Sequence, residues 1–334
     1  QGQLGDGTIS SKSSPVHVPG TEWNSNIASG TYHTAAIKND GTLWTWGNNG
    51  SGELGDGTIQ NKSSPIQIPG TSWSKISCGY THTAAIKNDG TLWVWGYNNY
   101  GQLGDGTAVH KSSPIQIPGN TWNVIDYGQH HAAAIKNDGT LWACGYNGYG
   151  QLGDGTTVSK SSPIQIPGTS WSKIACGDSH TAAIKNDGTL WVWGFNAQGQ
   201  LGDGTNVNKS SPVQISGTSW NVIACGNTHT VAIKNDGTLW VWGDNAQGQL
   251  GDGTVIRKSS PIQIPGTSWS KISCGMYHTV AIKNDGTLWA WGRNAFGQLG
   301  DGTAVHKSSP IQIPGVNWVD VSVGWYHAIA VKSQ

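Results

Sequence analysis

Charged residues are scarce in this chain: Lys and Arg together number 19, Asp and Glu number 19, and the four types make up 11% of its 334 residues. The net charge is zero with His neutral, so no basic excess attracts a nucleic-acid backbone or an anionic membrane surface. Long apolar runs are also missing, since none approaches the roughly 20 residues of a membrane span. We therefore expect no nucleic-acid partner and no membrane span. The compartment stays open, including secretion or membership of a larger exported protein.

Glycine, proline and tryptophan are abundant instead, with 49, 13 and 19 copies. Gly and Pro at this density cannot be distributed through helices, because both destabilise a helix interior. The many Trp side chains supply more apolar surface than a disordered chain carries. The composition therefore predicts a β-rich fold with many tight turns, and it does not by itself indicate a function.

One unit of about 49 residues recurs seven times and fills the chain, which leaves no linker or second domain. The Asp of LGDGT, one His and one Trp recur in every repeat, and the first repeat has one extra residue between its Trp and its His. The three series are Asp6, Asp56, Asp105, Asp154, Asp203, Asp252 and Asp301; His33, His82, His131, His180, His229, His278 and His327; and Trp23, Trp73, Trp122, Trp171, Trp220, Trp269 and Trp318. We predict a single domain over residues 1–334.

Each repeat offers four predicted strands, represented by TLWVWG at 91–96, SSPIQI at 63–68, TSWSKISCG at 71–79 and THTAAIK at 81–87. NDGT, GQLGDGT and PGTSW between them have turn chemistry, with Asp-Gly for positive φ and Pro-Gly for a tight bend. Neither end resembles the polar cap of an open solenoid. The pattern predicts an all-β fold, a seven-bladed β-propeller of four-stranded antiparallel blades.

The NDGTLW segment occurs only six times, whereas the other segments occur seven times. The chain ends at 327–334, where a seventh copy would follow, and begins where that strand would end. If both termini pair in one closing blade, this blade lacks a strand and exposes unpaired backbone groups. We expect roughly a dozen residues upstream of Gln1 to supply the strand. The alternatives are a three-stranded closing blade or one completed by a partner.

The segments LWVWGYNNYGQLGDGT, SSPIQI and ISCGYTHTAAIKNDG, repeated along the whole chain, resemble the regulator of chromosome condensation (RCC1-like) repeat family. The resemblance implies a seven-bladed propeller but no single activity, because the family includes a guanine-nucleotide exchange factor, a plant ultraviolet photoreceptor and a β-lactamase inhibitor. GWYHA around Trp325 is similar to the photoreceptor motif, yet Tyr326 stands where that motif has Arg. The uniform repeats have no inserted wedge for nucleotide exchange. Inhibition of an enzyme is compatible with the variable positions described next.

The sequences of the repeats differ mainly in certain loops between strands. Alternate connections of an up-and-down meander emerge at the same end of the sheet, so those after TLWVWG and after ISCG are predicted to share one face, and NDGT and PGTSW the other. NDGT is identical in all six copies, but the residues between Gly and His vary, as do those after WG. The pairs between Gly and His are Thr31-Tyr32, Tyr80-Thr81, Gln129-His130, Asp178-Ser179, Asn227-Thr228, Met276-Tyr277 and Trp325-Tyr326.

Aromatic residues concentrate at these variable positions, which hold eight of the nine Tyr, both Phe and the only Met. Such residues are enriched at interface cores because they bury much area while losing few rotamers. Drift in tolerant loops is the alternative, but it would mostly give small polar residues in this chain. We predict a protein-binding face anchored by Tyr32, Tyr80, Tyr97, Tyr100, Tyr146, Tyr149, Phe195, Met276, Tyr277, Phe296, Trp325 and Tyr326, with specificity from Asp178, Asp244 and Arg293. A glycan-binding lectin is the alternative, and it should show similar pockets around the ring.

Other reactive residue types follow the repeat, which favours structural roles. The seven His are predicted to fix the preceding turn by a hydrogen bond, and the GDGT carboxylates to form turns rather than calcium loops. Cys78, Cys176, Cys225 and Cys274 share one repeat position with Ser29 and Val323, so we expect small, mostly buried thiols without disulfides. No unique catalytic constellation is present. We therefore predict no enzyme activity, no cofactor and no metal site.

Overall fold

Each repeat forms antiparallel strands, with turns where Asp-Gly or Pro-Gly interrupts the apolar pattern. The structure, a computed structural model, describes residues 1–333 and has 26 strands there. The first strands of the repeats are β1 (Trp23–Ser29), β5 (Trp73–Cys78), β9 (Trp122–Tyr127), β13 (Trp171–Cys176), β17 (Trp220–Cys225), β21 (Trp269–Cys274) and β25 (Trp318–Val323). The second strands are β2 (His33–Lys38), β6 (His82–Lys87), β10 (His131–Lys136), β14 (His180–Lys185), β18 (His229–Lys234), β22 (His278–Lys283) and β26 (Ala328–Lys332).

The third and fourth strands occur six times each. The third strands are β3 (Leu43–Gly47), β7 (Leu92–Gly96), β11 (Leu141–Gly145), β15 (Leu190–Gly194), β19 (Leu239–Gly243) and β23 (Leu288–Gly292). The fourth strands are β4 (Lys62–Ile68), β8 (Lys111–Ile117), β12 (Lys160–Ile166), β16 (Lys209–Ile215), β20 (Lys258–Ile264) and β24 (Lys307–Ile313).

Strands β1 to β24 form six four-stranded blades, in which strands consecutive in the chain are hydrogen-bonded neighbours. β25 and β26 form a sheet of two strands only, and residues 1–22 contain no strand. The all-β propeller is confirmed, but the prediction of seven blades, one of them closed by both termini, is wrong. Residues 12–18 repeat the sequence of a fourth strand yet form none, because no third strand lies beside them to share ladder hydrogen bonds.

The first strands lie around the centre of the ring. Each contacts the first strand of the next repeat, and β25 contacts β1, so the ring closes through the two-stranded sheet. The loops joining first to second strands are therefore inner loops, and those joining third to fourth strands are outer loops. Within residues 1–333, no helix is long and apolar enough to cross a membrane.

The core lies between neighbouring blades and depends on tryptophan. The second Trp of the third strand is completely buried in five repeats, at Trp46, Trp95, Trp193, Trp242 and Trp291. Each indole donates to a backbone carbonyl of the preceding repeat, as when Trp95 Nε1 donates to Glu53 O at 2.9 Å. Because this donor is satisfied, the ring contributes its full apolar area to the core.

The GDGT segments are tight turns held by their carboxylates. Asp105 Oδ1 accepts from Thr107 N at 3.0 Å and from Thr107 Oγ1 at 2.8 Å, and its other oxygen lies 3.2 Å from Lys111 Nζ. Asn98 Nδ2 also donates to Asp105 Oδ1, at 3.0 Å. These partners occupy the carboxylate, which is the turn geometry that the sequence predicts.

The repeat histidines join neighbouring repeats. His131 Nε2 lies 2.9 Å from Thr181 Oγ1 of the next repeat, and this hydroxyl donates to Gln151 O at 2.8 Å. The same His–Thr bond occurs at His33, His180, His229 and His327. The hydrogen bond predicted between the repeat His and the preceding turn is made by the backbone, since Gly128 N donates to His131 O at 2.9 Å, whereas the imidazole joins the next repeat.

Two repeats lack this connection. His82 and His278 would meet residues 132 and 328, and both positions hold Ala where the other repeats have Thr. The Nε2 atoms of His82 and His278 are buried without a partner among the described residues. Two junctions of the ring, between the second and third repeats and between the sixth and seventh, therefore lack a hydrogen bond that the other five possess.

Candidate functional site

The variable inner and outer loops lie together on one face of the ring. Tyr97 of an outer loop has its ring centroid 5.8 Å from that of His130, which belongs to an inner loop. The Arg293 guanidinium, also in an outer loop, lies 5.8 Å from the Tyr277 ring centroid of an inner loop. Such contacts require that both kinds of loop emerge at the same end of the sheets.

Aromatic rings from several repeats form one connected band on this face. The aromatic band is defined by Tyr32, Tyr80, Tyr97, Tyr100, His130, Tyr146, Tyr149, Phe195, Phe296, Trp325 and Tyr326. Along the outer loops, ring centroids are 4.8 Å apart between Phe195 and Tyr149, 6.0 Å between Tyr149 and Tyr146, and 5.2 Å between Tyr146 and Tyr100. These spacings are those of favourable aromatic pairs.

His130 and Trp325 continue the band across the inner loops. His130 lies 4.7 Å from Tyr100 and 5.9 Å from Tyr80, measured between ring centroids. Trp325 lies 4.8 Å from Tyr80, a residue two repeats further round the ring. Its neighbour Tyr326 stacks on Tyr32 at 5.4 Å. The inner loops of the first, second and seventh repeats are therefore joined by their rings.

The band remains accessible to solvent although its rings contact one another. Tyr100 is 41% exposed, Tyr149 39% and Phe296 48%, and the other predicted site residues are all half-buried. None is completely buried, so the rings are packed enough to be held in place and open enough to be contacted. An accessible, preorganised apolar surface of this kind is typical of binding faces.

The Arg293 guanidinium lies at one end of the aromatic band. The Arg293 guanidinium lies 5.4 Å from the Phe296 ring centroid and 5.9 Å from that of Tyr326. Contacts of this length are cation–π interactions, which restrict the guanidinium while leaving it charged. Tyr277 lies beside the same cation, and Met276 is half-buried in the same inner loop.

Two carboxylates lie in the fourth and fifth repeats, where aromatic residues are fewer. Asp244 Oδ2 accepts from Gln249 Nε2 at 2.8 Å. Asp178 differs, because its Oδ1 is buried without a partner in the described part of the chain. Burial raises the pKa of Asp178 to about 6, partly offset by a hydrogen bond from Ser179. This face therefore has an aromatic sector and an acidic sector.

His130, which belongs to the band, and His110, which lies beside it, were missed as site residues. His110 Nδ1 accepts from Asn98 N at 3.0 Å, and its ring lies 4.7 Å from Tyr97. Burial lowers the pKa of His130 to about 4, which keeps the ring neutral. Both occupy variable positions, so counting His among the aromatic residues there would have identified them.

Tyr127, the one Tyr outside the variable positions, lies elsewhere. It is buried in β9, with its ring 4.3 Å from His82. It therefore belongs to the core.

Burial determines the protonation state of the thiols and of the repeat His rings. All five Cys are free thiols, and burial raises the pKa of Cys78, Cys144 and Cys274 to about 12, which keeps them protonated and unreactive. Burial lowers the pKa of His33 and His131 to about 3, so these rings are neutral. Residues 1–333 contain no group of three or more His, Cys, Asp or Glu arranged to hold a metal ion.

Comparison with known proteins places the chain among one group of propellers. A family model described as the RCC1-like domain matches residues 1–222 and 167–334, which together span the chain. Human WBSCR16 has a similar structure, with a TM-score of 0.83 and 25% identity over 92% of this chain and 86% of its own. No curated protein matches in sequence.

Yeast RCC1 (Prp20), in a crystal structure bound to Kap60, gives a TM-score of 0.82 at 20% identity, over 92% of this chain and 80% of its own. A second structure of Prp20p from Saccharomyces cerevisiae, described together with its binding to Gsp1p and histones, gives 0.81 at 22% identity, over 92% and 82%.

Proposed function

Because the chain belongs to the RCC1-like domain family, we propose that it is a non-enzymatic scaffold whose aromatic band binds a protein. One observation carries the proposal: eleven rings from six repeats form a single connected surface, at the positions where the repeats differ. The core of every repeat is built from Trp, Ile and Leu, so these rings are not needed to fold the chain. Rigid Tyr and Trp side chains are the usual anchors of protein interfaces.

The relatives support a protein partner. Yeast Prp20 is described as bound to Kap60 and as binding Gsp1p and histones. The residues of the aromatic band belong to this chain's own variable loops, so the identity of its partner is not transferred from these relatives. What is transferred is the class of partner that a propeller of this family contacts.

The shape of the band favours a protein over a glycan. A lectin formed from repeats would present similar pockets at each one, whereas here Tyr97 and Phe195 occupy a position that holds Asp244 and Arg293 in other repeats. One uneven surface with an aromatic sector and an acidic sector matches one large asymmetric partner.

The proposal is tested by comparing two triple variants. In the first, Tyr97, Tyr146 and Trp325 of the aromatic band are changed to Ala. In the matched control, Thr169, Thr267 and Val316, all exposed in loops of the opposite face, are changed to Ala. Thermal unfolding first shows that both variants fold.

Wild type and both variants are immobilised and exposed to a cell extract of the organism that the protein comes from. The same three proteins are also applied to a glycan array. A protein recovered by wild type and control is then purified, and its affinity is measured by calorimetry. We expect the band variant to weaken binding at least about a hundredfold, since hot-spot aromatics cost about 2 kcal/mol or more each. Full affinity of the band variant, or binding of glycans alone, would contradict the proposal.

A further inference from the structure

The rings of the aromatic band that lie along the outer loops follow one another in single file. This outer track consists of Tyr100, Tyr146, Tyr149 and Phe195, and neighbouring ring centroids are 4.8 to 6.0 Å apart. Among residues 1–333, Tyr146 and Tyr149 each pair only with the ring before and the ring after. The outer track is therefore one ring wide, which is narrow for a helix about 10 Å across.

The rings of the outer track are held in place with gaps between their faces. Successive rings are inclined to each other by 62°, 80° and 53°, so they form a row of notches rather than a smooth stack. Tyr146 lies over the backbone of its own loop, because a Cβ added to Gly148 would collide with Tyr146 Oη. Tyr149 N donates to Gln151 Oε1 at 3.0 Å, which fixes the next part of the loop. The notches are thus present before a ligand arrives.

The outer track offers hydroxyl groups but no free strand edge. Asn147 Nδ2 already donates to Val158 O at 3.2 Å, so this outer-loop carbonyl is used within the loop. Within residues 1–333, the hydrogen bonds of Tyr100, Tyr146 and Tyr149 are made by their backbone amides, and their phenol hydroxyls make none. A ligand on the outer track therefore meets Tyr hydroxyls, each able to donate one hydrogen bond, instead of a ladder of backbone groups.

The surroundings of the outer track carry little free charge. Lys160 Nζ of the same loop as Tyr149 lies 3.8 Å from Asp154 Oδ2, so this cation is paired. Burial lowers the pKa of His130, whose ring lies 4.7 Å from Tyr100, to about 4, so this ring is neutral at physiological pH. Charge complementarity therefore favours an uncharged ligand over an acidic or basic one.

Resting on the proposed function of the aromatic band, we propose that the partner protein contacts the outer track through an extended, uncharged, proline-rich segment in the polyproline II conformation. This conformation rises about 3.1 Å per residue, so two residues span about 6 Å, which is close to the step from one ring of the outer track to the next. Proline rings would lie in the notches between the tilted aromatic rings.

The hydrogen-bonding groups of such a segment also match. A polyproline II backbone has no internal hydrogen bonds, so its carbonyls are free to accept from the Tyr hydroxyls. Proline has no N–H, so the segment needs no row of acceptors from the loops. Binding of a preformed proline-rich segment to an aromatic-lined groove is an established mode of peptide recognition.

The test uses the whole chain and fluorescently labelled decaproline. A labelled Gly-Ser peptide of equal length is the control, since it is uncharged but flexible. Fluorescence anisotropy should show saturable binding of decaproline with half-saturation below about 1 mM. The Gly-Ser peptide should bind at least about tenfold more weakly, because it lacks the proline rings and must be ordered on binding.

Variants of the protein locate the peptide. Tyr149→Ala should weaken decaproline binding at least about tenfold by removing an anchoring ring. Tyr149→Phe, which removes only the hydroxyl, should weaken it about threefold. Tyr149 is 39% exposed, and thermal unfolding checks that both variants fold. The matched control is Val305→Ala, a change of an apolar residue that is 62% exposed in another outer loop, and it should leave the affinity unchanged.

Absence of saturable decaproline binding would overturn the proposal, as would equal affinity for the Gly-Ser peptide or full affinity of Tyr149→Ala. The protein recovered in the experiment on the aromatic band separates this failure from failure of the proposed function. Decaproline should displace that protein from wild type. If its binding requires Tyr97, Tyr146 and Trp325 but decaproline does not displace it, the binding face stands and the proline-rich segment is wrong.

Discussion

At the scale of single residues, the His–Thr bonds define which nitrogen carries the proton. Thr181 Oγ1 donates its hydrogen to Gln151 O, so it can only accept from His131, whose Nε2 must then be protonated. The Nδ1 atom of the same ring is buried without a partner among the residues described. Each His–Thr pair therefore uses the neutral tautomer with its proton on Nε2, and its contribution to stability depends on the Thr hydroxyl.

The repeat that lacks this hydroxyl gives a direct test. Ala132→Thr should stabilise the chain by about 1 kcal/mol, because the new hydroxyl satisfies the buried His82 Nε2 and can donate to Gln102 O. Urea unfolding at pH 7.5 measures the gain. Ala132→Val, of nearly equal volume but without a hydroxyl, is the matched control and should not reproduce it. Equal stability of the Thr and Val variants would show that volume, not the hydrogen bond, matters.

Asp178 is predicted to reduce the stability of the free protein. Its pKa is raised to about 6 by burial, so above that pH the folded chain must carry a buried charge whose Oδ1 has no partner among the described residues, and the stabilising protonated form is lost as the pH rises. Asp178→Asn should therefore increase the free energy of unfolding at pH 7.5 by about 2 kcal/mol.

Asp244→Asn is the control for this change. Its carboxylate already has a donor in Gln249, so we expect no gain in urea unfolding at the same pH. If Asp178→Asn leaves stability unchanged, or if Asp178 titrates near 4 by carbon NMR, this interpretation is wrong.

At the scale of strands, β9 and β11 each carry a residue that differs from its equivalents in the other repeats, and the two differences compensate in volume. Cys144 in β11 stands where the other third strands have a buried Trp, and Tyr127 in β9 stands where four repeats have Cys. Both side chains lie in the same core cluster. The Tyr ring thus occupies part of the volume that the missing indole vacates, and a small cavity of about 20 Å³ remains beside them.

A double-mutant cycle tests this coupling. Cys144→Trp alone should destabilise by about 2 kcal/mol through overpacking, and Tyr127→Cys alone by about 3 kcal/mol through a cavity. The double variant restores the pair that Cys78 and Trp95 form, so it should lose much less than the sum. Guanidinium unfolding of the four proteins measures the interaction free energy. Additive losses would show that the two positions are independent.

The strands themselves were predictable from one sequence. TLWVWG, predicted at 91–96, forms β7 (Leu92–Gly96), and THTAAIK, predicted at 81–87, forms β6 (His82–Lys87). Seven-fold repetition made these assignments strong, because the same turn residues bound the same apolar pattern each time. Residues 12–18 were the exception, since a fourth strand depends on a neighbour that repetition of its own sequence cannot supply.

At the scale of the whole molecule, the divergent positions predicted which residues share a face but not how they touch. Trp325 and Tyr80 come from repeats separated along the chain, and their 4.8 Å contact follows only from closure of the ring. His110 and His130 were missed because His in this chain is mainly a repeat residue. The His–Thr partners were missed for the same reason: the bond joins two repeats, and spacing within one repeat does not show it.

Acid should unfold the ring cooperatively. Burial lowers the pKa of five repeat His to about 3 and that of His327 to about 4, whereas an unfolded His titrates near 6.5. Between these values the unfolded chain binds more protons, so the stability present above pH 6.5 falls as the pH drops, by about 1.4 kcal/mol per pH unit for each His.

Urea unfolding from pH 8 to pH 4 at constant ionic strength measures this loss, and we expect spontaneous unfolding before pH 4. A free energy of unfolding that stays constant between pH 7 and pH 5 would show that the rings are accessible to protons in the folded state.

The two junctions without a His–Thr bond, at His82 and His278, divide the circle into unequal arcs of four and three repeats. Within the smaller arc, Trp325, Tyr80, Tyr32 and Tyr326 tie the inner loops to one another. Each of these two junctions has one buried hydrogen bond fewer than the other five, although rings of the band cross both, so local opening of the ring is expected to begin there rather than elsewhere on its circumference.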